Sequence, residues 1–176
     1  MKTRRQALLS LAAAGAIPAQ AQHEHAGSLP APLPTAPKYF SGADFRTLAI
    51  LVDLILPRSE TPGASDAGVH FYIDEAAATR PDLRATFRAG LDWLDQEARR
   101  AQGQPFAALT GEEQSAILRR ASEAAGREEG RFFRTLKDLT IEGFYSSRAG
   151  LVEELGWHGN TFVADFQGCT HPEHQE

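Results

Sequence analysis

The sequence predicts an all-α domain, a compact bundle of about five to six helices. Apolar residues recur with a helical period between residues 40 and 155, and no alternating pattern of the kind that marks a β-strand extends over a useful length. Segments rich in proline or glycine lie on either side of this region. We therefore expect an extended Pro-rich N-terminal linker, and an irregular C-terminal segment rich in aromatic residues and glycine.

Residues 1–21 carry the features of an export signal. A positive start is followed by a mildly apolar, Ala-rich stretch and by an A-x-A cleavage site that ends at Ala21. The adjacent Arg4 and Arg5 predict the twin-arginine route, whose receptor reads such a pair. Ala7 stands where these signals usually carry a bulky apolar residue, which leaves the general secretory route open as an alternative. Both routes lead out of the cytoplasm, so we expect a periplasmic protein.

The charge of the chain limits its partners. Loss of residues 1–21 removes three of the 18 Lys and Arg residues and none of the 23 acidic ones, which changes the net charge from −5 to −8. An acidic chain repels phosphate backbones and anionic lipids, so neither nucleic acid nor a membrane surface is the expected partner. The apolar run of the leader is shorter than the roughly 20 residues of a transmembrane helix. We expect no membrane anchor once the leader is removed.

Residues 22–39 predict an extended linker, because they hold four prolines among small residues. Proline fixes φ and removes a backbone donor, so this stretch cannot continue a helix. His23 and His25 lie near its start, and we interpret them as part of a solvated chain and not as a metal site. The predicted helical domain occupies residues 40–176.

The first helix is expected after Ser41, whose side chain can cap it, and before Pro57. Its apolar face consists of Phe45, Leu48, Val52 and Ile55. Asp53 on this helix is interpreted as solvated or locally bonded, because no second carboxylate shares an obvious pocket with it.

Two helices follow a turn-rich loop that ends at Gly68. The second helix runs from Val69 until Pro81, and the third closes at Gly103. Apolar residues on one face of the third helix are Leu83, Phe87, Leu91, Leu94 and Ala98. We place Trp93 at the edge of the core.

Three more helices complete the predicted bundle. Thr110 and Glu113 have the spacing of a capping box and open a helix that runs to about Gly126. The next helix is expected to end before Gly143, and a short one spans about residues 149–155. The inward faces of the first two are marked by Ile117, Leu118, Ala121, Phe132, Phe133, Leu136 and Leu139.

The sequence lacks the motifs of common redox cofactors. It has no G-x-G-x-x-G after a strand, no C-x-x-C-H for haem attachment, and a single cysteine. We also find neither a G-x-S-x-G nucleophile motif nor H-E-x-x-H. We therefore expect no redox cofactor in this chain, and the sequence offers no recognisable motif for hydrolytic chemistry.

The C-terminal third places aromatic residues among glycines and not on a helical stripe. A docking surface explains such residues, because Tyr and Trp are frequent interface anchors. The candidate partner interface comprises Phe144, Tyr145, Trp157, Phe166, His171, Pro172 and His174. For Trp157 and Phe166, folding back onto the same domain is an equal alternative. Cys169, His171 and His174 lack a fourth metal ligand, so no metal site is assigned.

The chain resembles the gluconate 2-dehydrogenase subunit 3 family over about residues 40–174. The matching stretches are Thr47 to Pro57, Thr61-Pro62-Gly63-Ala64, Ala67-Gly68-Val69, Leu109-Thr110 with Glu113-Gln114, Phe132-Phe133, Gly143 to Ser146, and Gly168 to Gln175. The last of these looks like members that pair with sugar-oxidising dehydrogenases.

This resemblance implies a small, non-catalytic subunit that commonly brings the export signal for its partner. The partner is expected to be a large FAD-dependent dehydrogenase of the glucose-methanol-choline type, often with a c-type cytochrome as electron acceptor. Cys169 is a lone cysteine in a predicted oxidising compartment, and it is a candidate for an intersubunit disulfide, with a buried or a free thiol as the equal alternative. The alternative function is an independent periplasmic metal-binding protein or enzyme that uses the C-terminal Cys and His residues.

Overall fold

The computed structural model describes residues 36–157, and within this range it is helical and contains no strand, which confirms the all-α prediction. The five α-helices are α1 (Gly42–Ile55), α2 (Val69–Thr79), α3 (Pro81–Gln102), α4 (Gly111–Glu123) and α5 (Glu128–Tyr145). A 3₁₀ turn at Phe106–Ala108 and a π-helical turn at Ala149–Glu154 accompany them.

The caps predicted from sequence are present at two helix starts. The backbone N–H of Asp44 donates to Ser41 Oγ over 3.2 Å at the start of α1. At α4, Thr110 N–H donates to Glu113 Oε2 over 2.9 Å, and Glu113 N–H donates to Thr110 Oγ1 over 3.4 Å. These bonds satisfy backbone donors that have no partner within the helix, and so they fix where each helix begins.

The core surrounds α5, which packs against each of the other four helices. Phe87 of α3 meets Phe132 of α5 edge to face, with ring centroids 5.6 Å apart. The Phe132 ring lies directly on the backbone of α3 at Gly90, where an added Cβ would overlap the ring. The predicted apolar faces are buried or pack against the core, and Trp93 is half-buried at its edge as expected.

Three helix ends differ from the sequence predictions. The prediction that the fifth helix stops before Gly143 is wrong, because α5 continues through it to Tyr145. Gly143 lets the Tyr72 ring of α2 pack directly on the α5 backbone, because a Cβ at this position would lie only 2.8 Å from Cδ1 of Tyr72. Helix α4 ends at Glu123, before the predicted Gly126. The short helix expected over residues 149–155 is a π-helical turn, Ala149–Glu154.

Candidate docking surface

The loop between α1 and α2 is held by Asp53, which is locally bonded as predicted. The Ser65 backbone N–H donates to Asp53 Oδ1 over 2.8 Å, and Ser65 Oγ donates to Oδ2 over 2.5 Å. On the other side, Gly63 N–H donates to Asp66 Oδ2 over 3.0 Å. Both carboxylates therefore satisfy backbone donors of the loop, which is the stretch that carries the T-P-G-A motif.

This loop is tied to the C-terminal end of the described chain. Thr61 Oγ1 donates to Glu154 Oε2 of the π-helical turn over 2.6 Å. The turn also packs on the end of α5, since a Cβ at Gly150 would overlap the Phe144 carbonyl. Trp157 N–H then donates to the Leu151 carbonyl over 2.9 Å. The loop motif thus helps to position the segment that leads to Trp157.

His70 stands in the first turn of α2, between two aromatic rings. Its ring centroid lies 5.0 Å from that of Phe45 and 4.5 Å from that of Phe71. Its Nδ1 is buried and has no hydrogen-bond partner among the described residues. Burial lowers the pKa of His70, and the nearby negative charge of Asp53 opposes this shift. The protonated imidazole is therefore disfavoured in the folded chain.

A buried carboxylate fastens the end of the linker to the bundle. Asp74 of α2 is 2% exposed. It accepts the backbone N–H groups of Lys38 over 2.5 Å, Tyr39 over 3.0 Å and Phe40 over 2.9 Å. This residue is not among those predicted from the sequence. The available signal was its position on the apolar face of α2, next to Ile73 and one turn before Ala77. An acidic side chain on such a face is buried only when its charge is paired or hydrogen-bonded.

The structure corrects the expectation for one aromatic residue of the candidate interface. Phe144 is 4% exposed and belongs to the core, so the interpretation that it has no place there is wrong. Tyr145 is half-buried and packs edge to face on Phe144, with centroids 5.3 Å apart. Trp157 is 49% exposed. Of the predicted interface residues in the described range, a partner could therefore reach Trp157 and part of Tyr145.

Four large apolar side chains are exposed in the described range, and all belong to or adjoin the C-terminal end of α5. We call them the α5-end patch: Tyr72, Ile141, Leu155 and Trp157. Tyr72 contacts the backbone at Gly143, and Ile141 lies one turn before Tyr145. Leu155 and Trp157 follow the π-helical turn that packs on the same helix end. Exposed apolar side chains near one helix end are frequent at protein–protein interfaces.

A groove of about 450 Å³ lies between α1, α4 and α5. Its lining residues are Leu54 and Ile55 of α1, Ser115, Leu118, Arg119 and Ser122 of α4, and Phe133 and Lys137 of α5. The sequence analysis did not predict this groove, because its walls come from segments far apart in the chain.

A second cavity, of about 280 Å³, lies between the start of α1 and the middle of α3. Arg88 in its wall interacts with the Tyr39 hydroxyl and with the carboxylates of Asp92 and Asp44, which together raise the pKa of the guanidinium. The single cation among the described residues that line this cavity is therefore already engaged by two carboxylates of the same chain.

Several predicted site residues lie outside the described range, and the structure gives no account of them. They are Arg4, Arg5, Phe166, Cys169, His171, Pro172 and His174. Within residues 36–157, no three His, Cys, Asp or Glu side chains are grouped as metal ligands. In the same range, no helix is both long enough and apolar enough to cross a bilayer.

Comparison with known proteins gives one family. The family model described as Gluconate 2-dehydrogenase subunit 3 matches residues 43–162, well over half of the chain. No curated protein and no solved structure matches the chain. The matched range includes α1 to α5, the π-helical turn and the α5-end patch. The chain therefore belongs to the gluconate 2-dehydrogenase subunit 3 family, whose name is that of a dehydrogenase-complex subunit.

Proposed function

We propose that this chain is the non-catalytic small subunit of a periplasmic, FAD-dependent sugar dehydrogenase that oxidises a glycoside or a sugar acid. It binds the catalytic subunit and supports its maturation and its export by the twin-arginine route. The observation that carries the proposal is the family match, which spans every helix of the described domain.

The exposed residues at the end of α5 support a binding role. Trp157 and Tyr72 are of the residue types that most often anchor interfaces, and each leaves a large apolar area in contact with water. The bonds of Thr61 and Leu151 hold the segment before Trp157 in place. A partner that covers these side chains gains apolar burial without first having to order this segment.

The proposal assigns the redox chemistry to the partner. The FAD resides in the large glucose-methanol-choline type subunit, and a c-type cytochrome in the same complex takes the electrons. This chain supplies a surface and, through Arg4 and Arg5, an export address that the large subunit shares. Replacing both arginines with lysine should abolish periplasmic dehydrogenase activity. Undiminished activity there would refute the shared-export role.

The proposal includes a covalent link through Cys169. An intersubunit disulfide forms when two thiols are oxidised by the electron acceptors of the periplasm, and it would prevent dissociation of the complex. Non-reducing electrophoresis of the purified complex, with thiol exchange blocked, should show a band at the summed mass. This band should disappear with reductant and in Cys169→Ser. Two separate bands without reductant would contradict the link.

The interface is tested by Trp157→Ala in the co-expressed complex. Loss of a central aromatic anchor lowers the binding free energy by about 2 kcal/mol or more, which raises Kd roughly 30-fold. Arg131→Ala is the control, since this exposed residue lies in the first turn of α5, at the opposite end of the helix. Unchanged affinity of Trp157→Ala would remove this residue from the interface. A purified chain that binds metal stoichiometrically, without a larger subunit, would favour the alternative function.

A further inference from the structure

We propose that the groove between α1, α4 and α5 receives a segment of the catalytic subunit that presents a bulky apolar side chain next to a carboxylate. This inference rests on the proposed function and deepens it, because it names a second contact and the chemistry of the partner segment.

The groove offers an apolar bed with room for large side chains. Leu54 and Ile55 form one wall, Leu118 lies in the opposite wall, and Phe133 lies on the α5 side. Leu54, Ile55 and Phe133 pack against the core and are half-buried, so part of each faces the groove. The groove is open to solvent, and its volume of about 450 Å³ leaves room for a large side chain.

The charges of the groove specify the partner's polar group. Arg119 and Lys137 are exposed and line it, and no carboxylate does. Neither cation forms an ion pair with another described residue. The chain as a whole is acidic, with a net charge of −5, whereas the described side chains that line this groove include two cations and no carboxylate. A carboxylate held beside an apolar anchor complements this arrangement.

The groove continues in two directions. On α5, Phe133, Lys137, Ile141 and Tyr145 follow one another at intervals of four residues and form one ridge. This ridge leads from the groove to Ile141 of the α5-end patch. On α4, Ser115 and Arg119 also line a neighbouring hollow of about 400 Å³. A partner bound at the α5-end patch can therefore reach the groove along α5.

The test measures the affinity of the tagged chain for the purified large subunit at several salt concentrations. The double variant Arg119→Glu with Lys137→Glu should raise Kd by about 10- to 100-fold at low salt, because like charges then face the partner's carboxylate. Added salt screens this repulsion, so the difference in Kd between the double variant and the wild type should shrink as the salt concentration rises. The double variant Arg131→Glu with Arg134→Glu is the matched control: it makes the same change of net charge at two exposed residues of α5 that do not line the groove. Its Kd should stay within about threefold of wild type.

A photo-crosslinking amino acid at Ser122, an exposed residue of the groove wall, identifies the occupant. We expect a cross-link to a large-subunit segment in which an aromatic or large aliphatic residue lies within four positions of Asp or Glu. A cross-link to a second copy of this chain, to residues 158–176 of the same chain, or to a segment without a carboxylate would overturn the inference.

The outcomes separate this inference from the proposed function. If the Arg119→Glu, Lys137→Glu variant binds as wild type does while Trp157→Ala releases the partner, the groove assignment fails and the proposed function stands. If the wild-type chain binds no large subunit, both fail. Circular dichroism of both double variants checks that the bundle is intact, as expected for exposed side chains.

Discussion

Replacing Asp74 should loosen the junction between the linker and the bundle. Its two carboxylate oxygens accept three consecutive backbone N–H groups, those of Lys38, Tyr39 and Phe40. Hydrogen bonds to a charged group contribute about 1.5–3 kcal/mol each, and a buried donor left without a partner costs about 1–3 kcal/mol. Phe40 is buried, so its N–H cannot turn to water, whereas Lys38 is exposed.

The two substitutions at Asp74 differ in what they leave behind. Asp74→Asn keeps one acceptor oxygen for Tyr39 and Phe40 but directs an NH₂ group at Lys38 N–H, so we expect a loss of about 2 kcal/mol. Asp74→Ala removes every acceptor and should cost about 4 kcal/mol. For a domain of this size these losses lower Tm by about 6 and 12 °C.

The assay combines urea unfolding with hydrogen exchange of the backbone amides. In Asp74→Ala the amides of Tyr39 and Phe40 should exchange faster relative to the core of α5, whereas in Asp74→Asn the amide of Lys38 is the one that loses its acceptor. The control is Glu75→Gln, which removes an ion pair between two exposed side chains, Glu75 and Lys38, and should cost below about 1 kcal/mol. Equal stability of Asp74→Ala and Glu75→Gln would refute the anchor.

Three further predictions concern the bundle itself. Gly90→Ala should destabilise it by about 1–3 kcal/mol in thermal unfolding, because the added methyl group overlaps the buried Phe132 ring. The control Gly111→Ala should be neutral or stabilising, because the space around Gly111 is open. Equal effects of the two substitutions would contradict the close packing at Gly90. Burial lowers the pKa of His70, so the unfolded chain binds a proton at this residue more readily than the folded chain does. The free energy of unfolding should therefore fall as pH drops below about 6.5, and it should level off below the pKa of the folded state. His70→Gln should remove this part of the pH dependence of urea unfolding. Glu97 is 8% exposed and forms ion pairs with Arg100 of α3 and Arg120 of α4. Glu97→Ala should therefore lower the free energy of unfolding in urea by about 1–2 kcal/mol. An unchanged free energy of unfolding would show that water replaces these ion pairs.

The helices could be predicted from sequence where local signals agree. The capping box at Thr110 and Glu113 marks the start of α4, and Ser41 marks that of α1, because these bonds join residues three apart. Gly143 was misread, since glycine terminates helices through a positive φ, while here it remains helical to admit Tyr72 from another helix. That contact depends on packing between distant segments and leaves no local trace.

The candidate docking surface was likewise predictable only where it depends on residues close in the sequence. For Trp157 the sequence left docking and folding back onto the same domain as equal alternatives, and its side chain is 49% exposed, whereas Phe144, which follows Gly143, is buried. The groove could not be found from sequence, because it joins residues 54–55, 115–122 and 133–137. Arg119 and Lys137 each look like an ordinary solvated cation until the fold brings them to one groove.

The central claim is that this chain functions as the bound partner of a larger dehydrogenase. The most direct measurement is affinity purification of the tagged, full-length chain from the periplasm of its native host, followed by visible absorption, mass spectrometry and a sugar:dye activity assay. The account predicts a complex with a larger subunit that contains FAD, has no leader of its own and carries all the sugar oxidation. A colourless chain that elutes alone, or a lone chain that oxidises sugar, would contradict it.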